Sequence, residues 1–316
     1  MIIQQQFNQT VVTEFILVGF SVQEKTRFFL FLLISTIYVA TIAANIFIIV
    51  IVMVEKRLHK PMYFFIGGLS FLELWYPSAT VPRLIWALKT KKDYISIAGC
   101  MIQFYLHFSL GATEMFLLTV MAYDRYVAIC NPLRYLVIMS PTSCTVLIIG
   151  SWVCAFIAQT GPYLRISTLS FCGGNRINHY YCDFAPLVRL SCSDTSGAEN
   201  VFFYTTLFIS VGCLLFIVTS YLCITRAVIK CPTASGRWKA FSTFASHLFV
   251  VILFYGTIIF MFIRPTKGDF LHFNKIVSVI PSVVTPLLNP IIYTFRNQEV
   301  KEAVITRSQR IMASNS

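Results

Sequence analysis

Five stretches of this chain, Phe28–Val54, Tyr135–Leu164, Asn200–Thr225, Ala240–Ile263 and Ile276–Phe295, contain no Asp, Glu, Lys or Arg. Each matches or exceeds the roughly 20 residues that a helix needs to cross a hydrocarbon core. Two further runs, Pro61–Pro82 and Tyr94–Tyr123, carry one acid each, Glu73 and Glu114. In lipid a backbone has no partner but itself, so all seven runs must be helices. Composition agrees: 57% of the 316 residues are hydrophobic and 12% charged, where an ordinary soluble domain is about a quarter charged. The sequence predicts an all-α membrane protein. Its single domain, 1–316, is a seven-transmembrane helix bundle over 28–295, with an outer segment 1–27 and an inner tail 296–316.

Orientation follows from the cations. Lys56, Arg57 and Lys60 follow the first run, Arg226, Lys230, Arg237 and Lys239 follow the fifth, and Arg296, Lys301, Arg307 and Arg310 sit in the tail. The positive-inside bias places these in the cytoplasm and the N-terminus outside. Lys89, Lys91 and Lys92 dissent, because the same topology puts them outside. The net charge of +12 is then mostly an inner-surface property, suited to anionic membrane lipid or an acidic partner. Its cations are scattered through short loops, which argues against a nucleic-acid partner. The first 27 residues lack the basic n-region and short h-region of a cleaved signal, so the first span is expected to direct insertion. Asn8, Gln9 and Thr10 form a glycosylation acceptor, usable if that end faces the secretory lumen.

Cys100 lies at the outer start of the third run, and Cys172, Cys182 and Cys192 lie in the long link after the fourth. Four cysteines in an oxidising compartment allow three pairings, and spacing does not choose among them. His179 and Asp183, flanking Cys182, offer a competing soft-metal site that needs the same sulfur. Cys130, Cys154, Cys213 and Cys223 read as small apolar packing residues. Beyond Phe295, the stretch RNQEVKEAVITRSQRIM alternates apolar and charged residues at near-helical spacing. It predicts a short amphipathic helix along the inner surface.

The third run ends in MAYDRYVAIC, Met121–Cys130, with an acid, a permanent cation and a phenol side by side. At a membrane boundary Arg125 needs a partner, and Asp124 is beside it. The second run opens PMYFFIGGLSFLE, NPLRY follows MAYDRYVAIC, the sixth run opens KAFSTFASHL and the seventh ends PLLNPIIYTFRN. In this order and spacing, over nearly the whole chain, the sequence resembles the vertebrate odorant receptors, a branch of the rhodopsin-like G-protein-coupled receptors. It departs from their pattern at Ala44, Glu73 and Phe244, where Gly, Asp and Cys are usual.

The resemblance implies disulfides Cys100–Cys182 and Cys172–Cys192, which would hold the long outer link as a lid over the bundle mouth. From Cys100 to Arg125 is 25 residues, about 37 Å of helix, so one end of this helix is outer and the other inner. His107, Phe108, Gly111 and Ala112 on its outer half are expected to line a pocket, although small residues there also serve close helix packing. The resemblance adds Thr205, Thr206 and Ile209 from the fifth span, Tyr255, Ile258, Ile259 and Phe262 from the sixth, and Val279 and Ser282 from the seventh. No carboxylate occupies the outer part of the third span. The implied ligand is therefore a small, mostly uncharged volatile molecule, held by burial and oriented by a polar group.

Glu73 and Glu114 are expected to face each other in mid-bundle near Asn45, Ser282 and Asn289. A bound sodium ion, which the resemblance implies, and a shared proton are the two open readings. At the inner end the resemblance assigns Asp124, Arg125, Tyr126, Tyr221, Lys239, His247, Asn289, Pro290 and Tyr293 to coupling with a heterotrimeric G protein of the stimulatory, olfactory type. His247 reads equally as a packed core histidine. Pro281, Pro286 and Pro290 predict a bend in the seventh span. The implied location is the plasma membrane of olfactory cilia. No nucleophile elbow, HExxH or phosphate loop suggests an enzyme. An ion-coupled transporter would use the two acids but give MAYDRYVAIC no role. A receptor for a small metabolite outside olfaction is the nearer alternative.

Overall fold

The fold is that of a computed structural model, which describes residues 12–91, 93–172, 174–230, 233–263, 270–295, 299–303 and 305. The side chains of 234–246, 262–263, 270–272 and 294–295 lie outside that description, as do the expected sites Asn8, Lys239 and Phe262.

The order is β1 (Glu14–Leu17), α1 (Glu24–Val54), α2 (Pro61–Trp75), α3 (Val81–Thr90), β2 (Tyr94–Ser96), α4 (Ile97–Cys130), α5 (Tyr135–Ile138), α6 (Pro141–Ser167), β3 (Arg176–Ile177), α7 (Phe184–Arg189), α8 (Ser196–Ile229), α9 (Ala234–Ile263), α10 (Phe270–Val277) and α11 (Thr285–Phe295). Among the described residues, five helical stretches are long and apolar enough to cross a membrane: Glu24–Val54, Ile97–Cys130, Pro141–Ser167, Ser196–Ile229 and Phe273–Tyr293. The other two passes are α9, apolar from His247 to Met261, and α2 with α3.

The second expected run is thus two helices rather than one. Pro77 has no N–H to give and its ring disfavours a continuing helix, so α2 caps at Tyr76 and α3 starts at Val81 with Pro82 in its first turn. At the outer start of α4, the Ser96 hydroxyl accepts from the Gly99 N–H at 3.1 Å, and Ser140 caps α6 in the same way at 3.2 Å. The seventh pass carries a π-helical turn, Ile280–Val284, around Pro281, the kind of defect expected where a proline interrupts the ladder.

α4 is the central rod. Of its most apolar stretch 61% is buried, against 28% for α1 and 17% for α6. The inner core gathers Leu69, Leu72, Leu117, Leu118, Ile224, Val250 and Phe254 around it. An outer core of Phe15, Leu17, Ile95, Phe104, Ile166, Ile177 and Leu187 sits beneath the mouth. Phe28, Val39, Phe208, Leu215 and Ile252 point outward, as a hydrocarbon surrounding permits.

The mouth holds a feature the helical reading does not contain: a three-stranded sheet, order β2-β1-β3. β1 pairs antiparallel with β2 (Phe15 opposite Ile95) and parallel with β3 (Ile16 opposite Arg176). Strands this short carry too little alternation to be read from sequence. Lys275 clamps the arrangement. Its buried ammonium donates to Val18 O at 3.0 Å, Gly19 O at 2.9 Å and Asn178 Oδ1 at 2.7 Å, one acceptor for each of its protons. Lys275→Met is expected to speed amide exchange at 14–17 by about tenfold or more, since a hydrogen bond to a charged group is worth roughly 1.5–3 kcal/mol. Unchanged protection in hydrogen-exchange mass spectrometry would refute this clamp.

The dissenting outer cations also find a place. Lys89 and Lys91 lie at the C-terminal end of α3, where the helix dipole favours positive charge, and Lys91 reaches Glu24 of α1 at 3.0 Å. Lys92 lies outside the described residues. At the opposite end Glu299 accepts from Lys60 Nζ at 2.7 Å and from the Tyr63 hydroxyl at 3.1 Å, while Val300 and Ala303 are buried. The described part of the tail helix therefore packs on the start of α2.

Candidate functional site

Two disulfides hold the outer link. Cys100–Cys182, with Cα atoms 5.5 Å apart, ties it to α4, and Cys172–Cys192, 5.7 Å apart, closes a loop within it. The Cys182 sulfur is therefore committed. Gln103 fixes the position by accepting from the Cys182 N–H at 3.1 Å and donating to Ala79 O at 3.0 Å. His179 is buried and accepts from the Tyr181 N–H at 3.4 Å. Burial, then the Lys275 charge, hold its ring well below the ordinary imidazole range, in the neutral form.

Beneath this lid lies a cavity of about 110 Å³. From α4, His107, Phe108, Gly111 and Ala112 line it, with Met115 below them. Thr206 and Ile209 of α8 and Ile258 of α9 also face it, and Tyr181 of the lid closes it with its ring centroid 4.3 Å from that of His107. The structure turns other expected residues away. Thr205 does not line it, and Phe254, Ile258 and Met261 form the α9 stripe, leaving Tyr255 and Ile259 against α8. In the seventh pass Ser278 and Pro281 face the cavity. Val279 instead packs beside α1 and α3, and the Ser282 hydroxyl bonds Ser278 O and the Tyr180 hydroxyl, the latter at 3.2 Å.

Three polar groups in the cavity stand out. His107 Nδ1 and Gln159 Oε1 are buried without a hydrogen-bond partner among the described residues, and Asp183 brings a carboxyl from the lid. The sequence marks Asp183 only as a candidate metal ligand beside Cys182, and Gln159 is a lone amide in an uncharged span, so neither signals a place in the cavity. Burial pushes the Asp183 carboxyl up from 3.8 to about 6, partly offset by a backbone hydrogen bond from Phe184. A raised pKa favours the protonated fold, so this contribution to stability is complete below 3.8 and is lost as pH rises through about 6. The neutral acid also has a proton to donate. A ketone or aldehyde ligand is expected to bind more tightly at pH about 5 than at neutral pH, and Asp183→Asn should flatten that profile. A profile identical in the variant would remove Asp183 from ligand contact.

Midway down, Asn289 Nδ2 donates to Glu73 Oε1, and Glu114 lies near enough to both to feel the Glu73 charge. Asn45 instead donates to Thr41 O at 2.9 Å and Pro286 O at 3.1 Å. Ser282 is held at the lid and is not part of this group. Among the described residues Glu73 Oε2, Asn45 Oδ1 and Asn289 Oδ1 are buried without a hydrogen-bond partner, and the buried Glu114 carboxylate lies within reach of the Asn289 amide.

At the inner end Arg125 donates to Asp124 Oδ2 through Nε at 3.0 Å and also through Nη2. Both residues are buried. The Tyr135 hydroxyl of α5 donates to Asp124 Oδ1 at 2.8 Å. Tyr135 ends the NPLRY motif, and nothing in its sequence spacing marks it as a partner of Asp124. Tyr221 and His247 hydrogen-bond between α8 and α9, close enough to Arg125 that its charge acts on the His247 ring. Tyr126 stacks on Tyr123 at 6.4 Å. Tyr293 is buried with its hydroxyl unpartnered among the described residues, one turn beyond Asn289 and Pro290.

Comparison with known proteins bears on this arrangement. A family model described as "Olfactory receptor" matches residues 34–310. The chain is 49% identical over 297 residues to human Olfactory receptor 6B1, covering 94% of this chain and 95% of that protein. It is 44% identical over 300 residues to human Olfactory receptor 6F1, covering 95% and 97%. It is 47% identical over 297 residues to rat Olfactory receptor 226, covering 93% and 91%.

Proposed function

Since the chain belongs to the olfactory receptor family, and so is a multi-pass G-protein-coupled receptor and not an enzyme, we propose that it detects a small, mostly uncharged volatile molecule in the cavity beneath Tyr181 and signals through a stimulatory G protein that raises cyclic AMP. The observation that carries this reading is the placement of both ends on one rod. α4 presents His107, Phe108 and Ala112 to a largely apolar cavity, and the same helix holds Asp124 and Arg125 at its other end. The cavity size supports a ligand of few heavy atoms: an engineered cavity of roughly 150 Å³ takes up benzene, and this one is about 110 Å³.

In the resting arrangement, Asp124 holds Arg125 and Tyr221 is engaged with His247. Activation exchanges these partners and frees Arg125 for the G protein, with Tyr126 and Tyr293 beside it and Pro290 supplying the bend. A ligand drives the exchange only by binding the active arrangement better. The buried carboxylates of Glu73 and Glu114 and the Asn289 amide oxygen suit a hard cation such as sodium, and these residues would hold it and stabilise the resting bundle. Signalling of Glu114→Gln that responds to sodium as the unaltered receptor does would refute that part.

The deciding experiment expresses the receptor with a cyclic AMP reporter and applies a panel of volatile alcohols, ketones and aldehydes. A dose-dependent rise is expected. Silence across the panel with confirmed surface expression, or a response only to a water-soluble metabolite, would overturn the reading. We place the receptor at the plasma membrane of olfactory cilia with its N-terminus outside, in keeping with the cation distribution.

A further inference from the structure

A second space lies away from the lid. α8 and α9 leave a groove of about 390 Å³ between them, with Val218, Leu222, Val251, Ile252 and Gly256 in its walls. Its neighbours on the outer faces, Leu215, Phe216 and Phe249, are exposed apolar residues on membrane-spanning helices. The surrounding medium is hydrocarbon, so only something supplied by the bilayer can fill the groove. At Gly256 a Cβ would meet nothing within 4 Å, which leaves the groove open at its middle.

Charge continues the same line. Leu222, Arg226 and Lys230 are successive i, i+4 positions at the end of α8, so they stack on one face. Arg226 and Lys230 are exposed, and neither enters an ion pair among the described residues. Cations at a helix end reach the headgroup level with their stems along the apolar surface. A neutral lipid would use the groove alone and a soluble anion the cations alone.

We propose that the α8–α9 groove binds an anionic phospholipid, with one acyl chain between the helices and its phosphate on Arg226 and Lys230. The chain would lie against Tyr221, which also lines the groove and holds His247. Its occupancy therefore bears on the relative placement of α8 and α9. This site is independent of which volatile molecule the outer cavity takes.

The test reconstitutes the receptor in nanodiscs of phosphatidylcholine with a minor fraction of phosphatidylserine, then quantifies by mass spectrometry the lipid retained after detergent washing. The unaltered receptor is expected to retain phosphatidylserine selectively. Arg226→Gln and Lys230→Gln should each reduce that enrichment about fivefold, while Lys301→Gln, a cation of the tail, should not. Gly256→Phe fills the groove without touching charge and should reduce retention as well; Val218→Phe serves if it fails to fold. Equal enrichment in the charge variants overturns the headgroup site. Full enrichment in the filled-groove variant reduces the effect to diffuse electrostatics and overturns the groove, as does equal retention of phosphatidylcholine.

Discussion

Arg125→Ala is expected to bring ligand-evoked cyclic AMP to the level of cells lacking the receptor, with surface expression retained. The guanidinium is permanently charged and buried, a costly placement that only a partner sustains. In this structure that partner is Asp124, itself buried and bonded also to Tyr135. Removing Arg125 leaves Asp124 the Tyr135 hydroxyl, so the helix end keeps one of its hydrogen bonds while the group that would reach the G protein is gone. Flow cytometry of an extracellular tag gives surface level, and the reporter gives output. Output preserved at matched surface level would end the coupling assignment. Tyr135→Phe separates restraint from coupling. It removes one bond to a charged group, worth roughly 1.5–3 kcal/mol, so basal signalling should rise about tenfold or more while the ligand still acts.

Tyr135 also shows what the sequence did and did not disclose. The long uncharged runs and the pairing of Asp124 with Arg125 at one end of the third follow from apolarity and charge, which act over whole segments. Which side of a helix faces the cavity depends on about 100° per residue, and there one defect decides the outcome. The π-helical turn at Ile280–Val284 adds a residue to the ladder. Counting outward from Asn289, each facing position then falls one residue earlier. Ser278 and Pro281 accordingly stand where Val279 and Ser282 were expected. The prolines predicted a bend but not its register. On α9 the same one-residue rotation separates Phe254 from Tyr255. Asp183 reads from sequence only as a candidate metal ligand beside Cys182, because its entry into the cavity depends on the Cys100–Cys182 bridge and on Gln103 holding the adjoining backbone, contacts between segments far apart in sequence.

Ala112→Phe is expected to abolish the response to every active volatile while basal signalling and surface expression persist. Ala112 is buried on the cavity side of α4, and a phenyl ring there would occupy most of a space of about 110 Å³. Overfilling a packed interior costs roughly 1–3 kcal/mol, but an existing cavity relieves part of that cost, so folding should survive where ligand entry does not. Gly111→Ala calibrates the effect. Its new methyl would sit 3.5 Å from the Tyr76 hydroxyl, an ordinary contact, and would subtract little volume. A shift in half-maximal concentration of up to about tenfold is expected, toward the low end of what one methylene does in an apolar pocket. Dose–response curves for the strongest panel compound, at matched surface levels, distinguish the cases. If Ala112→Phe responds as the unaltered receptor does, the ligand does not lie under Tyr181. If both variants are silent and lost from the surface, then Gly111 and Ala112 serve close helix packing rather than ligand binding.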